Sequence, residues 1–414
     1  MKYSILLFSI TLFLSLSAHC QTMENTFTYQ SANKEVLPYT INDTWQSFCF
    51  GNSSVIDTPL AGQDFYGQDA QQIKRAVSFN DNGDGTVTDL NTGLVWVKAR
   101  REKVTWEKAV AGAKTCNLGG YNDWRMPTIK ELYSLINFNG YSGFSAAEST
   151  PYLDTKYFEI AFGNVEKSER LIDAQDWSAN EYVSTTMHED ATVFGVNFID
   201  GRIKGYPKFR PRTKVPNSLY VRYVRGNPLY GQNKFVDNGN KTISDNSTGL
   251  MWAKTDSGSG MNWKDALAWI QQKNEEKYLG YSDWRLPNAK ELQSIVDYSR
   301  SPATTNSPAI DPSFNCTKIN NESGQEDYPF YWTSTTHLEG RIRGEAAVYI
   351  CFGRGLGFMR GPMGGNPVLL DVHGAGCQRS DPKSGNASNY PFGRGPQGDV
   401  IRILNFVRPV RTLK

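Results

Sequence analysis

The sequence is poor in the residue types that commonly build catalytic and metal centres. Its 414 residues include only four His and six Cys, and no two cysteines have the Cys-x-x-Cys spacing. Structural zinc sites and thioredoxin-like redox sites depend on that spacing. The sequence therefore gives no support to either class, and it predicts no metal and no cofactor.

Long hydrophobic runs are also missing, except at the start of the chain. The leader MKYSILLFSITLFLSLSAHC has an apolar run from Ile5 to Leu16, which is too short to span a bilayer comfortably. Its position after a single Lys is typical of a secretory signal over residues 1–20, with lipidation of Cys20 as the alternative. We therefore expect a secreted, periplasmic or cell-surface protein without a transmembrane segment.

Few cysteines remain once such a leader is removed: Cys49, Cys116, Cys316, Cys351 and Cys377. Export permits disulfides, but so few cysteines in a long chain do not form a disulfide-built scaffold. Cys49 with Cys116, and one pair among the other three, would leave a free thiol. The sequence does not fix this pairing.

What the sequence does contain is an internal duplication. FNDNGDGTVTDLNTGLVWVKA from Phe79 matches FVDNGNKTISDNSTGLMWAKT from Phe235, and GYNDWRMPTIKEL from Gly120 matches GYSDWRLPNAKEL from Gly280. A repeat of this length indicates two copies of one domain. The predicted organisation is a signal peptide (1–20), an N-terminal extension (21–75), domain 1 (76–226), a linker (227–234) and domain 2 (235–414), with an insertion at about 361–399.

Local patterns within the repeated unit predict an α+β fold. TVTDLNTGLVW alternates polar and apolar residues around an Asn/Gly turn, which predicts a β-hairpin. Apolar residues at helical spacing from Trp106 predict a first helix. Thr128 and Glu131 form a capping box that predicts a second helix, and Asn288 and Glu291 take these positions in the second copy. Strands follow, including the hairpin VFGVNFIDGRIKGY.

The block GYNDWRMPTIKEL is rich in groups that could do chemistry, yet we predict that it is scaffold. Its Glu is explained as a helix cap. Trp124 and Trp284 are predicted to be core aromatics. Arg125 and Arg285 are predicted to make buried or half-buried charge-assisted hydrogen bonds to Asp or to backbone carbonyls.

These motifs resemble the Lcl C-terminal domain family, which takes its name from a bacterial collagen-like adhesin. The resemblance rests on NDNGDGTVTDLNTGLVW, GYNDWRMPTIKEL and YVRYVRG, and it covers two successive copies at about residues 76–226 and 232–412. It implies a secreted or surface-exposed protein and, for the named adhesin, binding of sulfated glycosaminoglycans. The collagen-like Gly-x-y tract is missing here, so trimeric display is not implied.

A fainter likeness links WEKAV and WRMPTIKEL to the formylglycine-generating enzyme group. That group implies a C-type-lectin-like fold, so the predicted fold class is α+β, with two tandem C-type-lectin-like domains. Each would have a β-hairpin, two helices and a strand-rich second half. The oxidase activity is not implied, because its closely spaced pair of cysteines near the C-terminus is missing and fold likeness carries no activity.

The net charge is only +2, but basic residues are concentrated late in each copy. Arg presents planar donors that suit sulfate, carboxylate or phosphate groups. The predicted binding residues for an anionic, glycosaminoglycan-like polysaccharide are Arg202, Lys204, Lys208, Arg210, Arg212, Lys214, Arg354, Arg360, Arg379 and Arg394. The alternative is that acids elsewhere balance these charges on an ordinary solvated surface.

Other candidate sites have structural explanations. His188 and His337 follow matched Ser-Thr-Thr runs, so Ser184 or Ser334 with a His could form a nucleophile pair, but these residue types also suit a β-edge. NDNGDGTVTD resembles the start of a calcium loop but lacks the final Glu, so a polar hairpin turn is favoured. Cys351, His373 and Cys377 match no known metal-ligand spacing.

The sequence thus predicts an exported, non-catalytic bacterial protein for binding or adhesion, with a cell-surface glycan and no nucleic acid as its partner. Two alternatives stay open. One is an enzyme that acts on a cell-surface polymer, with a site near His373 in the insertion. The other is a structural module of a surface assembly, for which a flat apolar patch is expected. The oligomeric state is not determined by the sequence.

Overall fold

A computed structural model describes residues 37–72, 76–211, 213–360 and 365–413. The predicted signal peptide, Cys20 and the first part of the predicted extension lie outside these ranges, as does Arg212. The residues from Leu37 onward belong to one compact unit. Across the described ranges, every helix is too short or too polar to cross a membrane.

The chain before the first repeat is mostly irregular. It contains a short antiparallel hairpin, β1 (Cys49–Phe50) and β2 (Val55–Ile56), and a 3-10 turn at Asp69–Gln71. Gln68 fixes the turn to the hairpin, because its side chain accepts from the N–H of Phe50 at 2.8 Å and donates to the carbonyl of Phe65 at 3.0 Å.

The first repeat has a hairpin, two short helices and then strands, in the predicted order. Its elements are β3 (Phe79–Asp81), β4 (Thr86–Asp89), β5 (Leu94–Val97), α1 (Trp106–Lys114), α2 (Ile129–Ser134), β6 (Gln175–Thr186), β7 (Asp190–Asn197), β8 (Arg202–Pro207) and β9 (Val224–Gly226). Thr105 caps α1, and the predicted capping box of Thr128 and Glu131 begins α2. The sequence-based predictions of the hairpin and of both helices are confirmed.

The second repeat has the same order, with additional short strands. Its elements are β10 (Phe235–Asp237), β11 (Thr242–Asp245), β12 (Leu250–Ala253), α3 (Trp263–Glu275), α4 (Ala289–Ser294), β13 (Ile319–Asn320), β14 (Glu326–Asp327), β15 (Phe330–His337), β16 (Ala346–Cys351), β17 (Leu356–Met359), β18 (Val368–Asp371), β19 (Gln378–Pro382) and β20 (Val410–Thr412). Asn288 and Glu291 form its capping box, as predicted.

The two repeats share one six-stranded antiparallel sheet, with the strand order β15-β16-β19-β8-β7-β6. The third long strand of each copy lies in the middle, where Gln378 of β19 pairs with Ile203 of β8. Each repeat also has a four-stranded sheet, β3-β4-β5-β9 in the first and β10-β11-β12-β20 in the second. The fold is therefore mixed α+β and mostly β, and β19, which lies inside the predicted insertion, is the counterpart of β8.

The segment two residues before the closing strand of each repeat buries an arginine. Arg222 and Arg408 are both fully buried. Arg222 donates to the carbonyls of Val97 and Lys98 and, from its second terminal nitrogen, to the carbonyl of Glu159 at 2.6 Å. Arg408 repeats this arrangement with three carbonyls of the second copy. These side chains tie each hairpin to the rest of its repeat.

Candidate functional site

The repeated block positions a half-exposed arginine in each copy. Arg125 binds both carboxylate oxygens of Glu131, at 2.7 and 2.6 Å, and the same Glu131 accepts from the N–H of Thr128. Arg285 makes the same pair with Glu291. The predicted charge-assisted bond is confirmed, but its partner is the capping glutamate rather than an Asp or a carbonyl. The arginine is thereby held at the start of the short helix.

Trp124 and Trp284 are buried, as predicted, but the block is not only scaffold. The side chain of Arg125 is 35% exposed. Of its five N–H donors, the pair with Glu131 uses two, and the other three have no partner within the described ranges. Arg125 is therefore able to bind a ligand without losing its structural ion pair.

Arg125 lines a pocket of about 340 Å³ in the first repeat, which we call the Trp106 pocket. Its lining residues are Trp106, Val110, Ala113, Lys114, Trp124, Arg125, Met126 and Ala179. This lining combines two indole rings, of which that of Trp124 is buried, with two cations and contains no Asp or Glu. Lys114 is exposed at the end of α1 and makes no ion pair in the described part of the chain.

The position of Trp106 follows from its contacts. Its indole N–H donates to the carbonyl of Ser178 at 2.9 Å, and the ammonium of Lys208 lies 4.0 Å from the ring centroid. Lys208 in turn pairs with Glu181 at 2.7 Å. The indole is half-buried, so part of it contributes to the wall of the pocket.

A larger cleft of about 740 Å³ adjoins the pocket and shares Arg125 and Met126 with it. Its lining has mixed charge, with Arg125 and Lys130 on one side and Asp297 and Asp311 of the second repeat on the other. Burial lowers the pKa of Lys130 to about 8. Pocket and cleft together form a continuous groove that is basic at the Trp106 end.

Three of the ten predicted binding residues are buried in ion pairs at the middle of the shared sheet. Arg202 pairs with Glu339 at 2.5 Å and Lys204 with Asp200 at 2.6 Å, and Arg379 contacts Asp399. Burial also lowers the pKa of Lys204 to about 8. Arg202 joins the two repeats through Glu339, whereas the pairs of Lys204 and Arg379 each lie within one repeat, and none of the three contributes to an exposed basic face.

Most of the other predicted binding residues are also paired. The pairs are Lys208 with Glu181, Lys214 with Asp190, Arg354 with Asp327 and Arg394 with Glu345. Arg210 and Arg360 are exposed and have no ion pair in the described residues. Arg212 lies outside those residues. The structure therefore does not gather the predicted set into one surface.

The histidines of the second repeat are inaccessible. His337 and His373 are 0% and 1% exposed, and His373 contacts Asp399 at 2.7 Å. Burial, with nearby Arg379, holds the pKa of His373 well below its usual range. No group of three or more His, Cys, Asp or Glu side chains in the described ranges could hold a metal ion.

The predicted match between the Ser-Thr-Thr runs of the two copies is wrong in register. Trp177 and Trp332 are equivalent, because their indole N–H groups donate to the matching carbonyls of Val104 and Met261. Ser334 is therefore the counterpart of Ala179, not of Ser184. The two Ser-Thr-Thr runs lie at different positions along the equivalent strands. They therefore do not indicate a Ser-His nucleophile pair that both copies share.

None of the five described cysteines is in a disulfide. Cys351 and Cys377 lie next to each other, since the N–H of Cys351 donates to the carbonyl of Cys377 at 3.0 Å and burial, together with the neighbouring Cys377 thiol, raises the pKa of Cys351. Cys116 lies instead beside Arg101, at 3.3 Å. These positions do not bear on catalysis.

The sequence-based analysis missed Trp106, Lys114 and Arg125 as site residues. Trp106 and Arg125 are present in both copies, so they were explained by the shared scaffold. The signal that separates the copies is Lys114, which is Gln271 in the second repeat. A cation that is present in only one of two duplicated helices is the sequence signal that points to a ligand site in that copy.

Comparison with known protein families identifies one domain, twice. The model of the Lcl C-terminal domain matches residues 85–225 and 241–366. No curated protein and no solved structure matches this chain significantly.

Proposed function

This chain belongs to the Lcl C-terminal domain family of surface-associated bacterial proteins, and from that premise we propose that it is an exported, non-catalytic binding or adhesion protein. Its ligand is an anionic polysaccharide, of which one acidic sugar unit occupies the Trp106 pocket. The proposal keeps the predicted ligand class and moves the site from the late basic residues to Trp106, Lys114 and Arg125.

One observation carries this proposal: an indole and two cations line the same pocket, with no carboxylate in its lining. Sugars present apolar C–H faces that pack on aromatic rings, while planar guanidinium donors suit carboxylate and sulfate groups. A volume of about 340 Å³ lies within the usual size of small-ligand pockets. The adjoining mixed-charge cleft gives neighbouring sugar units of a longer chain a place to lie.

The non-catalytic part of the proposal rests on the lining of the Trp106 pocket, which contains no Asp, Glu, His, Cys or Ser, whereas Asp297 and Asp311 line only the adjoining cleft. An enzyme acting on the bound sugar unit needs an acid, base or nucleophile within its reach. His337 and His373 are buried, and His188 is exposed but outside the lining of the pocket. A C-type-lectin-like fold remains part of the proposal, supported by the order of hairpin, helices and strands in each repeat.

Charge reversal at Lys114 tests the site. We expect Lys114→Glu to weaken binding of a heparin-derived tetrasaccharide roughly tenfold or more, equivalent to about 1.4 kcal/mol, because it replaces an attraction by a repulsion at the ligand. The dissociation constant is measured by titration calorimetry at low and at high salt, since screening reduces such a difference.

Lys108→Glu is the matched control. Lys108 lies on the same helix, is also exposed and is outside the pocket lining, so its reversal changes the net charge equally without touching the ligand. Equal weakening by both variants would show only general electrostatic attraction. A wild-type protein that elutes from a heparin column in the loading buffer would contradict the proposal itself.

A further inference from the structure

The Trp106 pocket has a counterpart in the second repeat. The indole N–H of Trp263 donates to the carbonyl of Thr333 at 2.8 Å, as that of Trp106 does to Ser178. Arg285 and its Glu partner repeat the geometry of Arg125. The duplication therefore copied the walls of the pocket as well as the core of the domain.

The chain's own N-terminal segment covers the Trp263 end of this second copy, while Gln271 and Arg285 at its other end line a cleft of about 1260 Å³. We call residues Asp64–Gln72 the Phe65 plug. The ring of Phe65 lies against that of Trp263, with centroids 6.2 Å apart, and Trp263 is fully buried where Trp106 is only half-buried. Lys264, next along the helix, pairs with Asp64 at 3.3 Å.

The end of the plug satisfies the polar groups of the second pocket. The side-chain amide of Gln72 donates to the carbonyl of Leu286 at 2.8 Å and to the hydroxyl of Ser334 at 2.9 Å. Its oxygen accepts from Arg285 at 3.3 Å. Arg285 thus binds the plug through an N–H donor beyond those that pair with Glu291. The equivalent donors of Arg125 have no partner within the described ranges.

The plug contains acidic groups and no basic ones. Residues 64–72 contain two Asp and no Lys or Arg. Asp69 is buried and accepts a hydrogen bond from the hydroxyl of Thr335. Phe65 itself has a backbone φ of 65°, a left-handed conformation that is costly for a bulky residue and is typical of clamps and switch segments. This strain makes the aromatic contact easier to release than an unstrained one.

We infer that the second repeat carries a latent copy of the acidic-sugar pocket, which the Phe65 plug closes. The inference rests on the proposed function for the nature of the ligand. The chain then has one open site and one site that its own plug occupies, and displacement of the plug makes the chain bivalent. Because Gln271 replaces Lys114, the second site binds the same ligand less tightly than the first.

The test removes the plug's side-chain contacts without shortening the chain. In the double variant Phe65→Ala, Gln72→Ala, we expect titration with the heparin tetrasaccharide to show two sites per chain, where the wild type shows one. Adding Lys114→Glu to the double variant weakens the tighter of the two sites at least tenfold and leaves the other unchanged. Phe48→Ala is the control, because Phe48 lies in the same segment and is 59% exposed; it keeps one site.

A second measurement does not depend on sugar. A fluorescein-labelled peptide of residues 57–72 is expected to bind the double variant, and circular dichroism verifies that the variant is folded. A folded double variant that shows one sugar site, or that does not bind the peptide, would overturn the inference. A wild type that binds no tetrasaccharide, together with a double variant that binds the peptide, would refute the proposed function and leave the plug in place.

Discussion

Replacement of Arg222 by Leu is expected to lower the free energy of unfolding by about 3–5 kcal/mol. The guanidinium of Arg222 is fully buried and donates to three backbone carbonyls. Leu removes those donors, and a buried carbonyl left without a partner costs about 1–3 kcal/mol, although the carbonyl of Lys98 keeps the N–H of Glu159 as a donor. Burial lowers the pKa of Arg222 to about 10, so the group is still charged at neutral pH and is stabilised there by these carbonyls.

Arg225→Leu is the control three residues further along the chain, in β9. Arg225 lies at the surface, with its guanidinium 3.7 Å from the ring centroid of Tyr121 and paired with the exposed Asp123. Its loss is expected to cost less than about 1 kcal/mol. Urea unfolding followed by circular dichroism measures both. Similar losses for Arg222→Leu and Arg225→Leu would show that the carbonyl contacts contribute little.

These arginines illustrate how far the sequence predicts the fold. Thr128 with Glu131, the Asn/Gly turn of the first hairpin and the helical spacing after Trp106 act over a few residues, so the elements they predict are present. The sequence shows the charge of Arg222 but not its burial. Its carbonyl partners include Glu159, which is 63 residues away, and no local rule links the two positions.

The shared sheet was beyond prediction for a similar reason. The pairing of Gln378 in β19 with Ile203 in β8 joins two strands that are far apart in sequence. Because β19 lies inside the predicted insertion, the sequence did not show it as the counterpart of β8. Arg202 of β8 pairs with Glu339 of the second repeat because this junction is formed. A residue that the sequence places in a basic cluster is therefore one that joins the two copies.

The two copies differ in whether the pocket beside the first Trp of the helix is open, and no sequence motif shows this difference. Trp106 and Trp263 have the same sequence context and the same indole hydrogen bond. Only the course of the chain before the first repeat decides that one pocket is filled and the other is open. Duplication therefore predicts the walls of the site, while the tertiary position of Phe65 determines its occupancy.

Asp69→Asn is expected to change how stability depends on pH. Burial raises the pKa of Asp69 from 3.8 to about 7 in the folded protein, although the hydrogen bond from Thr335 acts in the opposite direction. Because the folded pKa lies above the unfolded one, the stability that Asp69 contributes is complete below about pH 4 and is lost as pH rises to 7. A difference of about three pKa units corresponds to roughly 4 kcal/mol.

Asn is close in size to a protonated Asp and does not titrate, so the two chains should be similarly stable at pH 4. At pH 8 the variant should be more stable by a few kcal/mol, measured as the difference in urea unfolding free energy at the two pH values.

Asp371 and Asp381, whose pKa burial raises to about 6, titrate in both chains, so their contributions cancel in this difference. Asp64→Asn, at a side chain that is 70% exposed, should leave the pH dependence unchanged. Because Asp69 lies in the Phe65 plug, a wild type that loses more stability than the Asn variant as pH rises would also mean that the plug is held least tightly at high pH. Parallel pH curves for the two chains would show that Asp69 is charged in the folded protein.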